Sequence, residues 1–253
     1  MNNIILAFII STIAGLSTLI GTIVVFIAKN KNNNILISSL SFASGVMATL
    51  SITDLLPEGI RYISNNFYII PAISISLISI SIGGIISIII DKLLPNKLNS
   101  KNNNNNLYKI GIISMLAIIL HNIPEGIATF ITSTDNIKLG ITIAIAITLH
   151  NIPEGISIAI PIYYSTNSKR KAFIYTLISG LSEPLGALIA YLFLAPFITK
   201  LFLGIIFSLI AGIMLHISLI ELLPASLSYK KKKLSYLFFI LGIIFVLINH
   251  FFF

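Results

Sequence analysis

Cysteine is absent from all 253 residues, which rules out disulfides, leaves the redox compartment unreadable and removes the soft thiolate donor that copper(I) prefers. Charge is scarce as well. Only 9% of residues are charged against 56% hydrophobic, and the mean hydropathy is +1.00, too little polar surface to cover a soluble globule. In their place stand long apolar runs. About 20 apolar residues span a bilayer core, and eight segments meet that measure: about 4–28, 35–57, 69–90, 110–133, 139–162, 172–194, 202–224 and 234–253. The expected fold class is all-α, a polytopic membrane protein of eight transmembrane helices, with residues 1–253 forming one transmembrane domain. The first segment has no basic leader, runs too long for the apolar core of a secretory signal and shows no small-residue cleavage pattern, so it is expected to stay as a helix.

Sixteen Lys and Arg against eight Asp and Glu give a net charge of +8, a balance that nucleic-acid binders share. Their placement follows topology instead. Thirteen lie in the first, third, fifth and seventh loops: Lys29 and Lys31; Lys92, Lys97, Lys101 and Lys109; Lys169, Arg170 and Lys171; Lys230 to Lys233. The even loops hold only Arg61, Lys138 and Lys200. The positive-inside rule then puts the odd loops in the cytoplasm and both termini outside, with the bilayer as partner and no nucleic acid. Within the third loop, about 92–109, the polar run Asn99–Asn106 reads as a flexible cytoplasmic linker.

Two internal repeats carry more information. His121-Asn122-Ile123-Pro124-Glu125-Gly126 recurs as His150-Asn151-Ile152-Pro153-Glu154-Gly155, 29 residues on, and both copies lie inside apolar spans. A fainter repeat aligns 45–57 with 212–224 at a constant offset of 167, with Gly, Met, Ser, an acid and Leu-Leu-Pro in register. Those are the second and seventh spans, which run in opposite directions in the derived topology. Helices one to three and six to eight are therefore expected to be inverted repeats around a central pair, a 3+2+3 plan met in secondary transporters.

A histidine or carboxylate at the centre of a bilayer is costly, which makes each a functional-site candidate. The short turn Ser133–Asn136 makes the fourth and fifth helices antiparallel neighbours. His121 lies fifteen residues before Asn136 and His150 fourteen after it, so a rise of about 1.5 Å per residue sets both motifs at one depth. Within each motif His and Glu stand at i and i+4, one turn apart on one helical face. Pro124 and Pro153 free the carbonyls of Leu120 and Leu149, and local kinks are expected there. Paired imidazoles, carboxylates and carboxamides suit borderline divalent cations: zinc, iron, cobalt or manganese. Glu183, in Ser182-Glu183-Pro184 of the sixth helix, is expected in the same cavity. Asp54 and Glu221 mark paths to water or lie at the interface, Met47 and His216 read as packing residues, and His250 as an interfacial one. The stretches Ser81-Ile82-Gly83-Gly84 and Gly180 permit close helix contacts and, with them, a homodimer.

The paired His-Asn-x-Pro-Glu-Gly motifs, with Gly180-Leu181-Ser182-Glu183 and Leu55-Leu56-Pro57, resemble the ZIP (ZRT/IRT-like) family of zinc transporters in its bacterial branch, across nearly the whole chain. The resemblance implies uptake of zinc, and of iron, manganese and cobalt, across the bacterial cytoplasmic membrane, without a resident cofactor and without enzymatic activity. It implies a binuclear site: His121, Glu125, His150 and Glu154 on one side, and Asn122, Asn151, the same glutamates and Glu183 on the other. It implies elevator-type alternating access. One departure is the third loop, often histidine-rich in the family and histidine-free here. The alternative is an intramembrane metal-dependent hydrolase with a catalytic zinc. Its usual His-Glu-x-x-His spacing is missing, since Asn122 and Asn151 follow the histidines.

Overall fold

The computed structural model describes residues 2–27, 32–93, 103–194 and 199–252, and these form helices joined by short turns, with no strand among the described residues. The helical segments join into eight rods: α1 (Asn3–Ile27), α2 (Asn33–Ile63), α3 (Ile69–Leu93), α4 (Asn103–Asp135), α5 (Ile137–Thr166), α6 (Lys169–Leu192), α7 (Lys200–Leu227) and α8 (Lys232–Phe252). By length and composition the first seven can cross a membrane, and α8 adds 21 residues. Side-chain caps start several of them. The Asn32 carboxamide accepts from the Asn34 amide, Ser168 Oγ from the Lys171 amide and Thr199 Oγ1 from the Phe202 amide. Between α5 and α6 the chain reverses through Asn167 at φ 56°, a left-handed position that asparagine tolerates. The basic residues Lys29, Lys31, Lys97 and Lys101 and the Asn run before Asn103 lie outside the described residues, and α4 begins within that run.

The helices are not interrupted at the motif prolines. Both α4 and α5 continue through Pro124 and Pro153. Their neighbours press close there, with Gly186 of α6 against the Ile123 carbonyl and Gly21 of α1 against the Ile152 carbonyl, and this packing supports the helix where hydrogen bonds are lost. Irregular turns appear instead as a 3-10 stretch at Ser17–Thr22, as wide π turns at Ser51–Leu55 and Ile217–Leu222 just before Pro57 and Pro224, and as a one-residue interruption at Leu181 before Pro184. Because Pro57 widens the helix rather than ending it, α2 runs on to Ile63 and carries Glu58 and Arg61 with it.

Glycine decides which helices touch. A Cβ at Gly126 of α4 would strike the Glu183 carbonyl of α6, and one at Gly155 of α5 would strike the Thr18 carbonyl of α1. On the other side, Gly45 of α2 meets the Phe239 carbonyl of α8 and Gly242 of α8 meets the Phe42 carbonyl of α2. The same two contacts recur between α7 and α3, where Gly212 meets the Ile80 carbonyl and Gly83 the Leu209 carbonyl. Positions 42 and 45 map to 209 and 212 at the offset of the sequence repeat, and 80 and 83 map to 239 and 242. Two glycine-knit bodies result: α1, α4, α5 and α6 in one, and α2, α3, α7 and α8 in the other. Within the second, Ser41 bonds Ser226, Ser44 bonds Ser218 and Gly59 abuts Ser208, so α2 and α7 are antiparallel. Gly83 and Gly180, the small residues offered for a dimer, are occupied inside the chain, Gly180 against Gly15 of α1. Between the bodies the contact is a broad apolar core that includes Leu40 and Met47 of α2, Ile110 and Ile118 of α4, Ile160 of α5 and Met214 of α7. Met47 is wholly buried there, a packing residue.

Candidate metal centre

Antiparallel α4 and α5 bring the two motifs face to face, as their equal distance from the turn requires. His150 Nε2 lies 2.8 Å from Glu125 Oε1, His121 Nε2 lies 3.6 Å from Glu125 Oε2 and 3.7 Å from Glu154 Oε1, and the imidazole centroids are 6.2 Å apart. One ligand atom each from His121, Glu125 and His150 falls within a 4.8 Å cluster, a spacing that fits a single cation. Glu154 stands beside it, wholly buried.

Behind this cluster is a second, sealed group. Asn151 Nδ2 donates to Glu183 Oε2 at 3.1 Å and to the Ala14 carbonyl at 3.0 Å, while Asn122 Nδ2 donates to the Ser179 carbonyl at 3.3 Å. The carboxamides thus spend their NH2 groups on α1 and α6 and leave their oxygens free. Asn122 Oδ1, Asn151 Oδ1, both oxygens of Glu154, Glu125 Oε2 and Glu183 Oε1 are buried without a hydrogen-bond partner. An unpartnered buried carboxylate oxygen is among the most expensive arrangements a fold can hold. Carboxylate and carboxamide oxygens of this kind are the hard donors that a divalent cation accepts.

The first group meets open space, whereas Asn122, Asn151, Glu154 and Glu183 are wholly buried. A cavity of about 340 Å3 is lined by His121, Glu125 and Thr129 of α4, Ile147 and His150 of α5, Phe207 of α7 and the end of α2. Along α2, Asp54 and Glu58 stand one turn apart on its wall; Thr53 Oγ1 donates to Asp54 Oδ2 at 2.8 Å, and Arg61 grips Glu58 with two N–H bonds. Glu58 and Arg61 escape a reading that stops the second helix at Pro57; the i, i+4 spacing of Asp54 and Glu58 is the signal that finds them. Of the seven expected ligands, His121, Glu125, His150 and Glu154 are brought together, Asn151 and Glu183 bond one another beside them, and Asn122 is held by the Ser179 carbonyl of α6. His216 is kept out of it by Ser87, whose Oγ lies 2.9 Å from its Nδ1, and the side chain of His250 is outside the described residues.

Comparison with known proteins agrees with this arrangement. The family model described as ZIP Zinc transporter matches residues 99–250. The chain is 41% identical over 260 residues to a zinc transporter ZupT of Campylobacter jejuni, covering 90% of this chain and 89% of that one. It is 40% identical to those of Streptococcus mutans, covering 90% of each, and Oceanobacillus iheyensis, covering 93% of each. These relatives are transporters, and the hydrolase alternative loses its ground. With the motif-bearing helices inside the matched region and the likeness running over nine-tenths of its length, the chain is a multi-pass membrane protein that belongs to the ZIP zinc transporter family, in its ZupT-type branch.

Proposed function

We propose that this chain takes up zinc across the bacterial cytoplasmic membrane through a binuclear site made by the paired motifs and Glu183. His121, Glu125, His150 and Glu154 form the station that faces the cavity, and Asn122, Asn151 and Glu183 complete the sealed one behind it, with the glutamates shared between them. One observation carries the reading: six buried acceptor oxygens, on three helices inside apolar spans, have no hydrogen-bond partner. A doubly charged substrate repays that desolvation, and carboxylate, carboxamide and imidazole together accept iron, manganese and cobalt as well as zinc.

Transport by a sliding body fits the packing. The whole site belongs to the α1, α4, α5, α6 body, the cavity opens along its seam with the other body, and that seam is largely apolar and free of glycine interlocks among the described residues. The recurring glycine contacts at matched positions support a 3+2+3 inverted-repeat plan in one transmembrane domain, and the basic odd loops support outward termini.

Radiolabelled zinc uptake into proteoliposomes tests the proposal. Unlabelled iron(II), manganese and cobalt are each expected to compete, while calcium and magnesium, which avoid imidazole, leave the flux unchanged. No flux in any condition overturns the reading, and competition by none of the transition metals restricts it to zinc.

A further inference from the structure

Lys109 has no part in the transport just proposed, yet it is buried, unusually for a cation among the described residues. By sequence it counts as a basic residue of the third loop. In the structure it lies inside α4, 8% exposed, twelve residues before His121 and so roughly 18 Å along the helix from the site. Its Nζ is 2.6 Å from Asp91 Oδ1 at the end of α3, with side-chain exposures of 10% and 24%. Glu221 of α7 interacts with both.

The location gives the pair meaning. Lys109 belongs to the site-bearing body; Asp91 and Glu221 belong to the other. The pair sits at the odd-loop end of the seam, opposite the cavity mouth. At that same end the Tyr164 hydroxyl of α5 donates to the Asn32 carbonyl at 2.8 Å and accepts from the Asn32 amide at 2.9 Å, a second polar tie across the seam. Apolar contact is non-directional and tolerates sliding. A buried ion pair does not, because separating it leaves charges that must find water.

We propose that Lys109 and Asp91 form an interbody latch that holds the odd-loop end closed while the cavity at the opposite end is open, with Glu221 as the acid that receives the ammonium when the bodies shift. The inference rests on the sliding-body reading above. Water reaching the seam from the odd-loop side lowers the cost of separating the pair, so opening and unlatching occur together.

The absence of cysteine makes the test free of background labelling. A single Ala117→Cys reporter in the buried seam of α4 is reacted with a membrane-permeant maleimide, in the full chain in vesicles, with and without Lys109→Met. The expected result is a labelling rate on the order of tenfold faster without the latch. The neutral pair Asp91→Asn/Lys109→Met removes both charges of the ion pair and is expected to label equally fast, while the exchange Asp91→Lys/Lys109→Asp restores slow labelling. Equal rates in the parent and in the neutral pair overturn the latch. Labelling does not require zinc flux, so faster labelling in a chain that carries no zinc leaves the latch standing and refutes the proposed transport.

Discussion

Glu154→Ala is expected to reduce zinc uptake to that of empty vesicles while the protein still reaches the membrane. Glu154 is wholly buried, neither of its oxygens has a hydrogen-bond partner, and His121 Nε2 is 3.7 Å away. Losing an outer partner of a metal site already costs about 10- to 100-fold in affinity or activity. Losing a carboxylate shared by both stations is expected to exceed that range. The same change has an opposite effect on the fold. Removing a buried acid whose oxygens have no hydrogen-bond partner relieves a desolvation cost on the order of 1–3 kcal/mol, so the metal-free variant should unfold at a higher temperature than the parent. Zinc-dependent stabilisation, which grows with ligand concentration over its dissociation constant, should then be absent. Uptake in proteoliposomes and thermal unfolding with and without zinc check both halves. A variant with normal flux, or one that zinc still stabilises as it does the parent, contradicts the role given to Glu154.

Gly126→Val is expected to prevent accumulation of folded protein. Here the argument is steric. A Cβ at this position lands on the carbonyl of Glu183, and its next neighbours are Glu183 C and Cα, all backbone that no side-chain rotation can clear. Overpacking usually costs 1–3 kcal/mol, and a backbone collision between two helices belongs at or above the upper end of that range. Gly155→Val meets the Thr18 carbonyl in the same way and should behave alike. Gly84→Val is the control, because its Cβ has only the Gly212 carbonyl 4.0 Å away. Size-exclusion chromatography of detergent extracts separates the outcomes. A sharp monodisperse peak for both Gly126→Val and Gly155→Val contradicts the close packing of α4 on α6 and of α5 on α1.

The sequence was most legible where physics is local. Hydrophobic length locates the spans, and i, i+4 spacing with equal distance from Asn136 sets His121, Glu125, His150 and Glu154 opposite one another. What escaped it depends on partners far along the chain. Gly45 and Gly212 are visibly in register, yet nothing nearby announces that Phe239 and Ile80 are their neighbours, and so the division into two bodies is unreadable. The effect of a proline is set by what packs around it. Pro124 and Pro153 sit in uninterrupted helices pressed by glycines of α6 and α1, and Pro57 follows a π turn and lets α2 continue to Ile63. Lys109 was assigned to a loop because composition cannot foresee that α4 begins in an asparagine run.

X-ray absorption at the zinc edge of the purified, zinc-loaded protein tests most directly whether the paired motifs hold the ion. Nitrogen and oxygen neighbours at about 2.0–2.1 Å with the outer-shell signature of imidazole are expected, and the double variant His121→Ala/His150→Ala should lose the imidazole signal. An unchanged spectrum in that variant, or no zinc retained by the parent protein, would contradict the account.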